Sequence, residues 1–338
     1  MAIIRLSRKA YFHNLDIITQ KVGEVSKIAV VLKDNAYGHG LIEMAKLAQE
    51  YGVKEAVVHN IAEAEQIKKY FEHILILGGH SYKVDDQYRY VINGLSQIEL
   101  MPKNLQVELK VDTGMHRNGV GMDEVEEAIT MLIRQGLVIK GVMTHNRSAD
   151  ALSSEWFWQR ANFKTVKEKV LALQNRLGLQ TLRFHSANSA ATFRFQEFDE
   201  DLVRVGIAAY GCLEMEKTLD QPALKPVLSL SAQKITTRTV KKGEYIGYNA
   251  TCRAEEKMYV STYDVGYADG LLRSASNDYV TPTGAQLLGR VSMDNSSFSG
   301  TSEELLVFDN VNDYAKVAKT IGYEVLTGLH PEITRVVV

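Results

Sequence analysis

The stretch Lys27-Ile28-Ala29-Val30-Val31-Leu32, running directly into Lys33, decides the fold. Apolar, mostly β-branched residues at consecutive positions mark a strand buried on both faces, whereas a strand with one wet face alternates. Seven further runs of this kind follow, at 56–59, 74–77, 88–92, 107–111, 138–143, 182–185 and 202–207. The segments between them leave room for helices, and two show helical spacing outright: Ile42, Ala45, Leu47 and Ala48, then Phe163, Val166, Val170, Leu173 and Leu177. Alternating strands and helices build a parallel sheet, and eight such units in about 220 residues match an α/β fold of the closed (β/α)8 TIM-like barrel type. An open doubly wound sheet is the alternative. Gly38-His39-Gly40, however, is only a fragment of the glycine-rich turn that such a sheet favours.

After Gly211 the character changes. Pro222 and Pro226 bracket a break, and beyond them come Thr-, Val- and Ser-rich runs at 235–240, 259–263, 286–291 and 305–308, with one helical pattern at 313–321. The expected division is a barrel over 1–224 and a mostly β C-terminal domain over 225–338, and a length of 338 residues suits two domains. With 39 Lys plus Arg against 41 Asp plus Glu, the net charge of -2 gives no electrostatic case for nucleic acid or an anionic membrane surface. Cys212 and Cys252 make neither a disulfide framework nor a zinc pattern, so no metal is expected. Charge enters the first eight residues too early for a signal peptide, and no apolar run reaches the ~18 residues of a membrane span. The expected location is cytoplasmic.

In such a barrel, chemistry gathers just past the C-terminal ends of the strands. Lys33, Lys110, His145, His185 and Arg204 each fall at or just after a predicted strand. One such residue alone is ordinarily solvated or satisfied; five on one rim point to a site. An amine leaving the first strand is a candidate to attack an aldehyde, because a buried site lowers the pKa of an amine and frees its lone pair. A phosphate site in these barrels usually forms from the loops after strands seven and eight, which here hold Ser189 and the Gly206-Ile207 backbone. A phosphate-bearing aldehyde cofactor would satisfy both features.

Residues 31–40, VLKDNAYGHG, resemble the pyridoxal-phosphate signature of the alanine racemases. They are joined in order by LKVDTGMHR (109–117), TH (144–145), HSANSAA (185–191), RVGI (204–207), GYADG (266–270) and GRVSMD (289–294), so the resemblance spans both expected domains. It implies that Lys33 holds pyridoxal 5'-phosphate as an internal aldimine, that Tyr37 hydrogen-bonds the phosphate, and that Ser189, Gly206 and Ile207 complete the phosphate cup. Arg204 matches the arginine that faces the pyridine nitrogen. Arginine offers only donors, so that nitrogen stays unprotonated and the cofactor is a weaker electron sink, which suits racemisation and disfavours transamination.

The resemblance further implies that His185 buttresses Arg204 and that His145 lies beside the cofactor ring. Inverting a stereocentre needs proton-transfer groups on both faces. Lys33 would serve one, and Tyr267, contributed by the partner subunit of a homodimer with shared active sites, the other. A tyrosine acting as a base at neutral pH needs positive charge or donors beside it. Met293 and Asp294 resemble the segment that reaches the substrate carboxylate across that interface. Arg117 resembles the arginine that contacts carboxylate and cofactor oxygen, and Lys110 a lysine that is carbamylated in many members and positions that arginine. The implied activity is interconversion of L- and D-alanine, supplying D-alanine for bacterial peptidoglycan; a broader racemase acting on serine or lysine is the alternative. Basic amino-acid decarboxylases share a related fold, but typically present a carboxylate to the ring nitrogen, which Arg204 opposes. A single-barrel carrier would lack the second domain.

Four places depart from the usual pattern. Asn146-Arg147-Ser148 stands where Phe-Ala-Thr is common, Leu271-Leu272 replaces an aromatic-Pro pair, and His116 occupies a position often held by Gly. Some members place a phosphate-contacting tyrosine near the C-terminus. The nearest equivalent in the sequence is Pro331, so that role goes unassigned.

Overall fold

The computed structural model describes residues 2–338, and each of the eight runs forms a strand. After β1 (Ile3–Leu6) come β2 (Ile28–Val31), β3 (Glu55–Val58), β4 (His73–Ile76), β5 (Tyr88–Ile92), β6 (Gln106–Lys110), β7 (Val138–Met143), β8 (Arg183–His185) and β9 (Val203–Val205). From β2 to β8 each strand pairs parallel with the next, and β9 returns to lie against β2 with Arg204 opposite Ala29. The order runs round a circle in sequence, which excludes the open doubly wound sheet, whose order reverses at a switch point.

The circle closes through little ladder. Between β8 and β9 stands a single bridge, Asn188 to Arg204, with the Arg204 N–H donating to the Ala187 carbonyl at 3.0 Å. The Asp201 N–H also donates to the Phe184 carbonyl at 3.1 Å, and side chains take up other backbone donors along that seam. The Asp201 carboxylate accepts from the Phe184 N–H at 2.7 Å, and Glu200 accepts from the Ser186 and Ala187 N–H groups at 2.6 and 3.0 Å.

Alternate residues on each strand point to opposite faces. Ile28, Val30, Ala56 and Val58 join the large core shared with the helices, whereas Ala29, Val31, Val57, Leu75, Val91 and Met143 form a separate cluster inside the barrel.

The second sheet is built on β10 (Leu228–Val240). It is followed by a hairpin of β11 (Tyr245–Ile246) and β12 (Cys252–Arg253), then β13 (Met258–Tyr263), β14 (Leu287–Leu288), β15 (Ser296–Ser299), β16 (Glu304–Phe308) and β17 (Thr334–Val337). The sheet order is β14-β15-β13-β10-β1-β17, with β16 also on β10. One strand therefore crosses the expected division at 224/225: β1 pairs with β10 and β17, so residues 3–6 belong to the second sheet and not to the barrel. The helical pattern at 313–321 becomes a helix over Val311–Ala318, and a second helix, Gly322–Gly328, follows it unannounced by the sequence. Among the described residues no helix is long and apolar enough to cross a membrane.

Directly after β2 the chain enters a left-handed turn. Asp34, Asn35, Ala36 and Tyr37 have φ of 54°, 54°, 52° and 51°, and Gly38 follows at 74°. Such values cost an L-residue roughly 1–2 kcal/mol each. Local bonds oppose that cost: the Asp34 N–H donates to Glu63 Oε1 at 2.7 Å, Ala36 N–H to the Leu32 carbonyl at 2.8 Å, and Leu41 N–H to Asn35 Oδ1 at 2.8 Å. Gly38 is needed twice over, by its φ and because a Cβ there would lie 1.9 Å from the Leu326 carbonyl oxygen of the helix over Gly322–Gly328. Gly38→Ala should lower unfolding stability by about 2 kcal/mol or more, combining backbone strain with overpacking. Urea denaturation measures this, and a variant as stable as the parent would contradict the tight contact between turn and helix.

Candidate active site

The barrel strands end in a cavity of about 1300 Å³. Its floor is apolar, made by inward residues such as Val31, Val57, Val91 and Met143. Lys33, Tyr37, Lys110, Arg117 and His145 line it, and so do Ser189, Arg204, Gly206 and Ile207. His185 does not. It is fully buried and reaches Arg204 from behind.

The left-handed turn sets the first two of these. Lys33 precedes it with its Nζ 3.4 Å from Asp34 Oδ2, and about a third of its side chain is exposed, so the burial expected of this lysine is only partial. Tyr37 ends the turn with its ring against Gly206, where a Cβ would meet the ring at 3.0 Å. Burial, with the nearby Asp34 carboxylate, pushes the Tyr37 phenol up, so it is a donor at neutral pH. Beside it Ser189 Oγ accepts from the Gly206 and Ala208 N–H groups at 3.1 and 3.2 Å. The Gly206 N–H is thus already engaged. The Ser189 hydroxyl proton and the Ile207 N–H, which has no partner among the described residues, are the donors left for an anion.

Arg204 is held by four bonds from its two terminal nitrogens. One donates to His185 Nδ1 and to the His185 carbonyl at 3.2 Å, the other to the Thr144 and Ser186 carbonyls at 2.7 and 3.2 Å. Burial lowers Arg204 to about 10, with the Glu200 and Glu108 carboxylates pulling it back up, and it stays charged at pH 7.

Lys110 is pushed down to about 8 by burial and by the Arg117 and Arg204 charges, and its Nζ donates to Asn118 Oδ1. Arg117 sits on a loop that returns to the barrel through a Val111–Val120 bridge, with Asp112 Oδ1 accepting from the Gly114 and His116 N–H groups at 2.9 and 3.1 Å. His116 in that loop has φ 54°, a left-handed value that explains why glycine is common there.

Tyr267, Met293 and Asp294 are absent from the lining of this cavity and lie exposed on the second domain. They are neighbours of one another. Tyr267 N–H donates to the Ser292 carbonyl at 2.9 Å and Ala268 N–H to the Met293 carbonyl at 3.0 Å.

The departures fall into place. Asn146 is buried with its Nδ2 donating to the Ser186 carbonyl at 3.2 Å. Arg147 also lines the cavity, with its guanidinium bonded to the Gly114 carbonyl at 2.7 Å and to Glu155, so its charge is answered locally. Leu271 is buried in the large core, and Leu272 packs against it. Pro331 is exposed and does not line the cavity; the tyrosine that does is Tyr323, with its ring 5.7 Å from that of Tyr37. Sequence reading missed it because the helix it begins carries no distinctive spacing.

The alanine racemase N-terminal domain model matches residues 6–214, and the C-terminal domain model of the same family matches 227–337. The chain belongs to the alanine racemase family. As a member of that family it is an enzyme of the isomerase class. It is 43% identical over 335 residues to the alanine racemase of a Nitratiruptor species, covering 99% of each chain, and 42% identical over 337 residues to that of Campylobacter curvus, again covering 99% of each. Among solved structures, the alanine racemase of Clostridium difficile 630 superposes with a TM-score of 0.89 at 25% identity, over 100% of this chain and 95% of that one. The Bartonella henselae alanine racemase, described as carrying covalently bound pyridoxal phosphate, gives 0.86 at 26% identity over 100% and 99%.

The alanine racemase family is pyridoxal-phosphate-dependent, and the residues present fit that group. Burial first, then the Arg204, Lys110, Arg117 and Lys33 charges, push His145 down to about 3, which reports an electropositive cavity suited to a phosphate and a carboxylate. Gly206 leaves the Tyr37 ring room beside the unpaired donors. His185 is pushed down to about 4, chiefly by burial. Both imidazoles, titrating near 6.5 when unfolded, are thus neutral in the fold at mildly acidic pH. The unfolded chain binds protons first as pH falls, so their contribution to stability is complete above about 6.5 and is lost on descent toward 4. Imidazole NMR should find neither ring titrating between about pH 8 and about pH 5, and a midpoint near 6.5 for either would contradict the burial described.

Proposed function

We propose that this protein interconverts L- and D-alanine, working as a homodimer in the cytoplasm and supplying D-alanine for bacterial peptidoglycan. The observation that carries this is spatial. Lys33, Tyr37, Ser189 and Arg204 converge on one electropositive cavity, while Tyr267, Met293 and Asp294 stand exposed together on the other domain, with no role in their own chain's cavity. A shared site accounts for both. The unit 1–224 supplies most of the cofactor cavity, Tyr323 and its helix complete the wall from the unit 225–338, and that second unit also carries the residues lent to the partner.

Pyridoxal phosphate, when bound, supplies the electron sink that makes the substrate Cα–H acidic. Lys33 Nζ anchors it. Tyr37, the Ser189 hydroxyl and the Ile207 N–H hold its phosphate beside Gly206, whose own N–H is taken by Ser189, with Tyr323 the tyrosine positioned to join them. Arg204 presents a cation with no acceptor, which keeps the ring nitrogen unprotonated, and His145 flanks the ring. Lys33 Nζ handles the proton on one face of the substrate carbon and the partner's Tyr267 Oη on the other. Arg117, with the partner's Met293 and Asp294, orients the substrate carboxylate. Lys110, lowered to about 8, has enough free amine near neutrality to become a carbamate that pairs with Arg117.

A racemisation panel over alanine, serine and lysine should show alanine turned over fastest; comparable rates on lysine would overturn the assignment in favour of a broad racemase. Lys33→Ala should abolish both turnover and the visible absorbance of the bound cofactor. Tyr267→Phe should keep that absorbance and lose turnover. Co-refolding the two inactive variants as a mixture should restore about a quarter of wild-type activity, because half the dimers then hold one intact site. No recovery in a mixture that forms dimers would exclude the shared site.

A further inference from the structure

Below the cavity, inside the barrel, lies a layer of charge that none of the roles above uses. Glu55, Arg89, Glu108 and Arg183 occupy inward positions of β3, β5, β6 and β8. Arg183 donates to Glu55 at 2.6 and 2.9 Å and through Nε to Glu108 Oε1 at 2.7 Å, and Arg89 stands 3.8 Å from both carboxylates. Gly141 on β7 makes the room, since a Cβ there would lie 2.7 Å from the Arg183 stem. Glu108 is completely buried, and its second oxygen, Oε2, is 2.6 Å from His185 Nε2.

This contact fixes a proton. His185 Nδ1 receives an N–H of Arg204, so it carries no hydrogen, and the ring proton must sit on Nε2, where the Glu108 carboxylate accepts it. Arg204 in turn has all four terminal hydrogens engaged by His185, Thr144 and Ser186, which leaves Nε as its one donor without a partner among the described residues. We propose that Glu108 is a positioning residue for the reaction: by fixing the Nε2–H tautomer of His185 it locks the Arg204 guanidinium, so that Nε–H is presented to the cofactor ring nitrogen in a single orientation. This rests on the reading of Arg204 as the partner of that nitrogen. Burial keeps His185 neutral, as an acceptor for Arg204 requires.

Glu108→Gln tests it with little change in volume. A glutamine has one acceptor oxygen, and Arg183 competes for it, which turns the amide NH2 toward His185 and drives the imidazole proton to Nδ1, against Arg204. Glu55→Gln is the comparison, because it removes an equal charge from Arg183 without touching His185. Histidine-selective ¹⁵N NMR of the cofactor-free protein reads the tautomer; the loaded enzyme gives pyridoxal-phosphate affinity and the share of turnovers that end in transamination. Wild type should show the Nε2–H form. Glu108→Gln should shift it, weaken cofactor binding about tenfold, as the loss of one charge-assisted bond implies, and raise the transamination share, whereas Glu55→Gln should keep the wild-type tautomer.

An Nδ1–H form in the wild type would overturn the proposal without any variant. It also falls if Glu108→Gln keeps both the wild-type tautomer and product partition, or if Glu55→Gln matches it, since the layer would then act only as structure. A wild-type chain that shows the Nε2–H form yet neither binds pyridoxal phosphate nor racemises would overturn the role of Arg204 and leave the Glu108–His185 coupling standing.

Discussion

Four L-residues held in the left-handed region, Asp34 to Tyr37, are the constraint around which the site is arranged. At about 1–2 kcal/mol each, their cost is a sizeable fraction of the net stability of a domain. It is met by bonds from outside the turn, such as Asp34 N–H to Glu63, and by the docking of Gly38 under the helix over Gly322–Gly328. A right-handed helix from Lys33 onward would send Tyr37 round a different face. The left-handed path instead brings Lys33 and Tyr37 into one cavity, with the tyrosine ring against Gly206, just past the end of the neighbouring strand β9. Strain here serves position.

The barrel was readable because its strands are buried on both faces. A run such as Ile28–Val31 carries no alternation to confuse, and the expected and observed strands differ only at their ends. The second sheet was less legible. β1 alternates over only four residues and lies next to a helix start, while β17 is largely exposed, so neither stands out by hydrophobicity. Both acquire strand structure from their pairing with each other and β10, which no local pattern encodes. Most of the candidate site could be read from residue types at strand ends, since in a barrel those ends share one rim. Glu108 escaped notice for the opposite reason: a lone carboxylate in Val107-Glu108-Leu109 reads as a solvent-facing position, and only the barrel interior shows Arg183 and His185 waiting for it.

The departures from the family pattern are compensated locally. Asn146 donates to a backbone carbonyl, and Arg147, which lines the cavity, pairs with Glu155 and lies near the Trp158 ring. His116 tolerates its backbone because Asp112 accepts its N–H. For Asn146 and Arg147 the partners come from neighbouring segments, Ser186, Gly114 and Glu155 among them, and for His116 from its own loop.

The placement of β1 has a consequence for how the chain reaches this state. Ile3–Leu6 is synthesised before the barrel, yet its neighbours Leu228–Ser231 and Thr334–Val337 emerge after it. β1 must therefore wait for partners that follow the whole barrel in sequence, and β17 completes its edge of the sheet. Contacts of such sequence separation are costly to close and slow the assembly of the second sheet.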